Sequence, residues 1–304
     1  MSIVNRRVIY KRLETIKHKD ALIGIGLVAP AVLLVLITIV YPFFEAIRIS
    51  FMDLGTGEFV GLDHYQWLFG RGEFWTYTGY SIAWTVGNIV LQGAFGIGIA
   101  LLLHDKFFGR DGIRAIMLVP FIVPSAVIAI TWRWLLNGTY GPLPEIVESL
   151  GLMSSVGSPL ANPSFALAAV TGINIWRWAP LVALVVFAVL QTIPREEYEA
   201  ARIEGAGLID EFVHVTWPHL KRSLTILGLL GVLLTFNIFD VIWLLTEGGP
   251  VNATTTLPVF IYDIAFNLQD IGRGTAVSVV LFLLLVGFVI AYFQQEEMKE
   301  GGFA

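Results

Sequence analysis

Residues able to do chemistry are few in this sequence and far apart. Cysteine is absent, which removes thiolate nucleophiles, thiolate metal ligands and disulfides. The histidines, His18, His64, His104, His214 and His219, form no i,i+4 pair on a helix, so the pattern offers no metal site. HExxH, GxSxG and GxxxxGK[ST] do not occur, so neither zinc hydrolysis, serine hydrolysis nor ATP cleavage is expected of this chain. Arg133, Arg177 and Asp240 interrupt otherwise apolar runs. An ionisable group in lipid is costly and normally faces a cavity or a partner helix. Arg133 and Arg177 are both placed to snorkel toward an interface, Arg133 beside Trp132 and Trp134. Asp240 shares helical spacing with Asn237 and Leu244. It is expected to make a structural hydrogen bond or an ion pair, with Arg177 as a partner, and the alternative is direct contact with a solute.

What remains is chemistry of recognition. Asn174, Trp176, Trp178, Thr235, Asn237 and Trp243 sit in two apolar runs. Aromatic faces stack on the C–H groups of a solute, while amides and hydroxyls bond to its polar groups. The same residues equally suit helix packing.

The elements that must position these groups are membrane spans. Of 304 residues, 56% are hydrophobic and 14% charged, against about 45–50% and 25% in a soluble domain. Apolar runs cover 21–44, 74–103, 115–136, 165–193, 223–246 and 274–293. The first would make a helix of about 36 Å, enough to cross a hydrocarbon core of about 30 Å. The expectation is an all-α membrane protein of six transmembrane helices. Its net charge of −5 argues against a nucleic-acid partner. Lys and Arg crowd the tail 1–20 and the loops 104–114 and 194–222, and are absent from 137–164 and 247–270. That bias puts both termini and the two basic loops in the cytoplasm. The first run is longer than a signal-peptide core and is read as an anchor. Three segments follow: a basic tail 1–20, a six-helix membrane domain 21–293, and a tail 294–304. Gly79, Gly87, Gly93, Gly96 and Gly98 are expected to let helices pack closely. The outer loop 137–164, with Glu145 and Glu148 but no Lys or Arg, suits either a protein dock or a solvated connector.

The loop 194–222 is too long for a simple connection between spans. Pro194 can start a helix over 195–204, and Gly205 and Gly207 would break it. Leu208, Phe212, Val215 and Trp217 then resume an amphipathic pattern that Pro218 is expected to end. Ala200, Ala201, Gly205 and Ala206 form a small-residue region open to close approach by another backbone.

Here the chain resembles the permeases of binding-protein-dependent ABC importers. Their cytoplasmic signature is Glu-Ala-Ala, three residues, Gly, nine residues, then Ile-x-Leu-Pro. This chain has Glu199-Ala200-Ala201, Gly205 and Val215-Thr216-Trp217-Pro218 at that spacing. It departs at Val215, at Trp217, at Glu204 where Asp is common, and at Arg222 where a Pro is common. The segments 59–69, 119–141, 190–207 and 236–266 resemble the carbohydrate branch, which includes maltose-type and glycerol-phosphate-type permeases. The likeness is to the first permease subunit of a pair.

The resemblance implies a type I importer fold, a plasma (cell inner) membrane location and no covalent chemistry in this chain. It implies a second permease, two cytoplasmic ATPase subunits that bind the ATP, and a soluble solute-binding protein outside. Glu199, Ala200, Ala201, Gly205 and Pro218 would couple to an ATPase. By likeness to the maltose permease, Trp178, Leu181, Gly231, Leu234, Thr235 and Ile238 would line the substrate pathway. Asn237 and Asp240 join them on the reading of residue types. The solute would be a sugar or a sugar derivative. A non-sugar solute is the alternative within the class, and an ion-coupled secondary transporter the alternative outside it.

Overall fold

A computed structural model describes residues 25–104, 108–149 and 157–301. The basic tail 1–20, Lys106, residues 150–156 and the last residues of the C-terminal tail lie outside the described residues. The elements are α1 (Ile25–Ile49), α2 (Asp63–Phe69), α3 (Gly72–Leu102), α4 (Arg110–Ile122), α5 (Ser125–Leu135) and α6 (Pro142–Ser149). They continue with α7 (Ala166–Leu190), α8 (Arg195–Ile203), α9 (Leu208–Phe236), α10 (Asp240–Thr246), α11 (Leu257–Asn267) and α12 (Ile271–Gly301). Among the described residues the extended pairing is one isolated bridge, Met52 with Phe59. Five helices are long and apolar enough to cross a membrane, and six when the bent pair α4–α5 counts as one.

Two expected spans are not straight. The run 115–136 is broken between α4 and α5, which meet at 98°. Val123 and Pro124 are both extended, with ψ of 133° and 142°. The proline ring excludes helical geometry from the residue before it. The run 223–246 is also two pieces, because α9 stops at Phe236 and α10 starts at Asp240. Asp240, Asn237 and Leu244 therefore do not share a helical face. The break turns Val241, Ile242 and Leu245 into a core with Trp84, Ile128 and Val170. In lipid the gain is close packing of these side chains against other helices rather than removal from water.

Pro218 does not end its helix either. A π turn over Phe212–Thr216 precedes it, with the Trp217 N–H donating to the Phe212 carbonyl. Pro218 then sits in the first turn of the α-helix that follows, where its missing N–H is tolerated. The last helix likewise continues past 293, to Gly301.

The buried side chains form three clusters strung along α3. At its start, Phe74 and Tyr77 pack with Leu257, Phe260, Ile264 and Val277. In the middle, Trp84 packs with the α5, α7 and α10 residues. At its end, Ala100 packs with Val186, Leu190, Ile193, Val215 and Leu220. By contrast α1 has no buried residue in its apolar window. It touches the rest through Phe43, whose ring meets Phe282 at 4.9 Å. Its exposed Leu, Ile and Val side chains suit lipid rather than water.

Among the α3 glycines, Gly96 makes the close approach. A Cβ there would lie 2.5 Å from Val182 Cγ1 and 3.1 Å from the Ala183 backbone nitrogen. Gly79, Gly93 and Gly98 have open space at the same position. Gly96→Ala should cost about 1–3 kcal/mol through overpacking. The melting temperature of the purified chain in detergent should fall by about 3–10 °C, while Gly98→Ala leaves it unchanged.

Candidate functional site

The loop between α7 and α9 folds as two helices around a glycine. Helix α8 starts after Pro194, carries Glu196 and Glu197 in its first turn and Arg202 in its last, each sign matching the nearby helix-end charge. Its end is closed by two bonds, Ala206 N–H to the Ala201 carbonyl and Gly205 N–H to the Arg202 carbonyl, both 3.0 Å. That pattern needs a left-handed residue at position 205, and Gly205 has φ 87°.

Three polar struts fasten α8 to α9. Arg202 donates to both carboxylate oxygens of Glu211, at 2.6 and 3.1 Å. Glu211 is buried, and the paired carboxylate raises the Arg202 pKa from an already high value. Tyr198 and Thr216 share a hydroxyl hydrogen bond of 2.9 Å. His219 meets Glu197 at 2.8 Å. What this leaves outward is Glu199, Ala200, Gly205 and Pro218, all exposed, with Ala201 half-buried. Of the residues grouped on one side by pattern, Leu208 and Trp217 are exposed, whereas Val215 is buried. Ile203, Leu208 and Ile209 stand at 88%, 84% and 77% exposure around the Gly205 turn, a small apolar tip that nothing among the described residues covers.

Within the membrane region a cavity of about 680 Å³ opens between α3, α7 and α9. Trp178, Leu181, Gly231, Leu234, Thr235 and Ile238 all line it. Asn237 and Asp240 do not. Asn237 donates to the Leu233 carbonyl of its own helix at 2.8 Å and lines a separate crevice of about 420 Å³ beside Phe43 and Pro258. Asp240 is exposed at the start of α10. No ion pair joins Asp240 to Arg177 among the described residues. Arg177 donates to Ser125 Oγ at 2.8 Å, pinning α7 to the first turn of α5 just past the break. Arg133 is exposed in the last turn of α5.

The cavity wall holds a residue the sequence reading passed over. Gln92 lines it from α3 and belongs to a buried amide chain. Gln92 Nε2 and Asn174 Nδ2 both donate to Asn88 Oδ1, at 3.0 and 2.7 Å. Asn88 Nδ2 donates to the Trp84 carbonyl at 2.8 Å, and Trp84 Nε1 donates to the Thr235 carbonyl at 3.0 Å. One belt thus ties α7, α3 and α9 together behind the cavity. The signal was present as Asn88 and Gln92 at i,i+4, hidden among glycines that suggested packing alone. Among the described residues no group of acidic, His or Cys side chains is arranged to hold a metal.

A multi-helix membrane body with an apolar cavity and an exposed Glu-Ala-Ala loop defines a solute permease. Residues 92–296 match the family described as binding-protein-dependent transport system inner membrane component. The chain belongs to that family and is a multi-pass protein of the plasma membrane. It is 32% identical over 281 residues to the trehalose/maltose transport system permease protein MalF of Thermococcus litoralis, covering 91% of this chain and 94% of that one. It is 32% identical over 288 residues to the sulfoquinovosyl glycerol transport system permease protein SmoG of Agrobacterium fabrum, covering 92% of each. Its fold matches a crystal structure of a bacterial ABC transporter involved in the import of the acidic polysaccharide alginate. The TM-score is 0.82 at 18% identity, over 94% of this chain and 99% of that one.

The struts make a prediction about the loop. Glu211→Gln removes the charge and one of the two acceptors facing Arg202. Amide hydrogen exchange across α8 should speed up several-fold, while exchange in the middle of α3 stays as in the wild type. Equal exchange in α8 of both proteins would show that the other two struts suffice.

Proposed function

We propose that this chain is one of two membrane subunits of an ATP-driven importer for a sugar or sugar-derived solute. The carrying observation is that one cavity gathers the six positions expected of a substrate pathway. The relatives named for trehalose, maltose and sulfoquinovosyl glycerol support the solute class. The cavity suits it as well, with a mainly apolar wall and polar groups at Gln92, Trp178 and Thr235. Trp178 itself lines the cavity beside Leu181 and Val182, offering a ring face to a solute.

In this reading the loops rich in Lys and Arg face the cytoplasm. Helix α8 and the apolar tip around Gly205 dock on a cytoplasmic ATPase, with Glu199 available to a basic partner residue. The proposed partners are a second related permease, two ATPase subunits and a soluble solute-binding protein outside. This chain supplies half the pathway and the mechanical link, and no covalent step. Segment limits at 20 and 293 mark where the membrane domain begins and ends in this proposal.

The test is co-purification from the native membrane. Wild type should bring down a second permease and an ATPase. Gly205→Val places a branched side chain at φ 87°, a conformation such residues avoid, and so distorts the tip. The variant should keep the second permease and lose the ATPase. A wild-type chain that purifies alone and moves solute in liposomes without ATP would overturn the proposal.

A further inference from the structure

The orientation of the Gln92 side chain follows from its partners rather than from a choice between oxygen and nitrogen. The Trp84 carbonyl can only accept, so the Asn88 group facing it must be the NH2. Asn88 Oδ1 therefore faces the other way and must accept. Both groups that meet it, from Gln92 and Asn174, must then be donors. Gln92 consequently spends an N–H inward, and its Oε1 is the end of the amide left for the cavity. The residue is 7% exposed, so its rotamer is held by packing as well as by this bond. The wall around it is built from Ile89, Val90, Ile97 and Val182, none of which can bond to a hydroxyl.

We propose that Gln92 is a solute-contacting residue: its Oε1 accepts a hydrogen bond from a hydroxyl group of the transported sugar. This rests on the sugar-importer reading above. The belt gives the contact a fixed geometry, because Asn88, itself bonded by Asn174 and to the Trp84 carbonyl, holds the amide before the solute arrives, and a preorganised acceptor loses little entropy on binding.

The experiment uses the whole importer, purified with its partner subunits and binding protein and placed in liposomes with ATP inside or outside as its orientation requires. The probes are radiolabelled maltose, trehalose and glucose, with labelled histidine as a non-sugar. Gln92→Met keeps the length of the side chain and removes the acceptor. The expected result is a fall of about three- to tenfold in uptake of the transported sugar, the size of one neutral hydrogen bond, at an unchanged yield of assembled importer. Unchanged uptake of a sugar that wild type transports overturns the Gln92 assignment and leaves the sugar reading intact. Wild type that moves histidine and none of the sugars overturns both.

A second variant guards against failure of the first to assemble. The chain has no cysteine, so Gln92→Cys gives one thiol to follow by mass spectrometry of this chain. A small positively charged methanethiosulfonate reagent should label it, and the transported sugar should protect it during ATP-driven turnover. No labelling, or labelling indifferent to the sugar, counts against the contact.

Discussion

The constraint on which the structure depends is the contact between α3 and α7, two long helices running the same way through the membrane region. Every buried cluster includes α3 residues, and the middle and lower ones include α7 residues. Lipid gives helices no hydrophobic incentive to associate, so close packing and shared polar groups must supply the attraction. Both are present. Gly96 lets the backbones approach at Val182 and Ala183, and the Asn174–Asn88 bond joins the helices about two turns away. These same two helices form one side of the cavity, and α9 closes the other, so the α3–α7 side is as rigid as that packing.

With α3 and α7 fixed, the other segments are free to break. Backbone groups released inside a membrane need partners from protein or a cavity. At Val123–Pro124 the break lies against α7, where Arg177 reaches Ser125 Oγ and Trp178 meets the Phe121 ring edge-on at 5.4 Å. At Asn237–Phe239 the Ile238 N–H finds the Thr235 carbonyl at 3.1 Å, and the Asn237 side chain takes up the Leu233 carbonyl. A charged residue read as a membrane oddity, Arg177, thus acts locally as the clamp on a broken helix.

Hydropathy made the spans legible, and the spacing of Glu199, Gly205 and Pro218 made the loop legible, because both depend on residue types in short windows. The two-helix loop with its glycine turn is where it was expected. Asn237 and Asp240 were misplaced for a physical reason. The segment Phe236–Asp240 contains neither Gly nor Pro, so nothing local announces the break, which comes from burial of Val241, Ile242 and Leu245 against other helices. Pro218 misled in the opposite direction: a proline reads as a stop, but a π turn one step earlier absorbs its missing donor. Gln92 escaped notice because its role lies in partners on α3 and α7, and the residues flanking it say only that helices pack closely.

These pieces give α9 a mechanical character. Its first turns hold Glu211, Thr216 and His219, the α9 ends of the three struts from α8. Its later turns present Trp217, Leu224, Gly228, Gly231 and Thr235 to the cavity. From Glu211 to Thr235 is about 36 Å of helix at 1.5 Å per residue. The one irregularity is the π turn at Phe212–Thr216, and the strut from Tyr198 ends on that turn. A push on α8 therefore enters α9 on both sides of the irregularity, at Glu211 before it and His219 after it. The two halves cannot slip past each other without breaking a strut. In the proposed importer, displacement of the loop would be delivered to the cavity wall by one stiff element, and hinge-like switching between two packings would need no bending of α3 or α7.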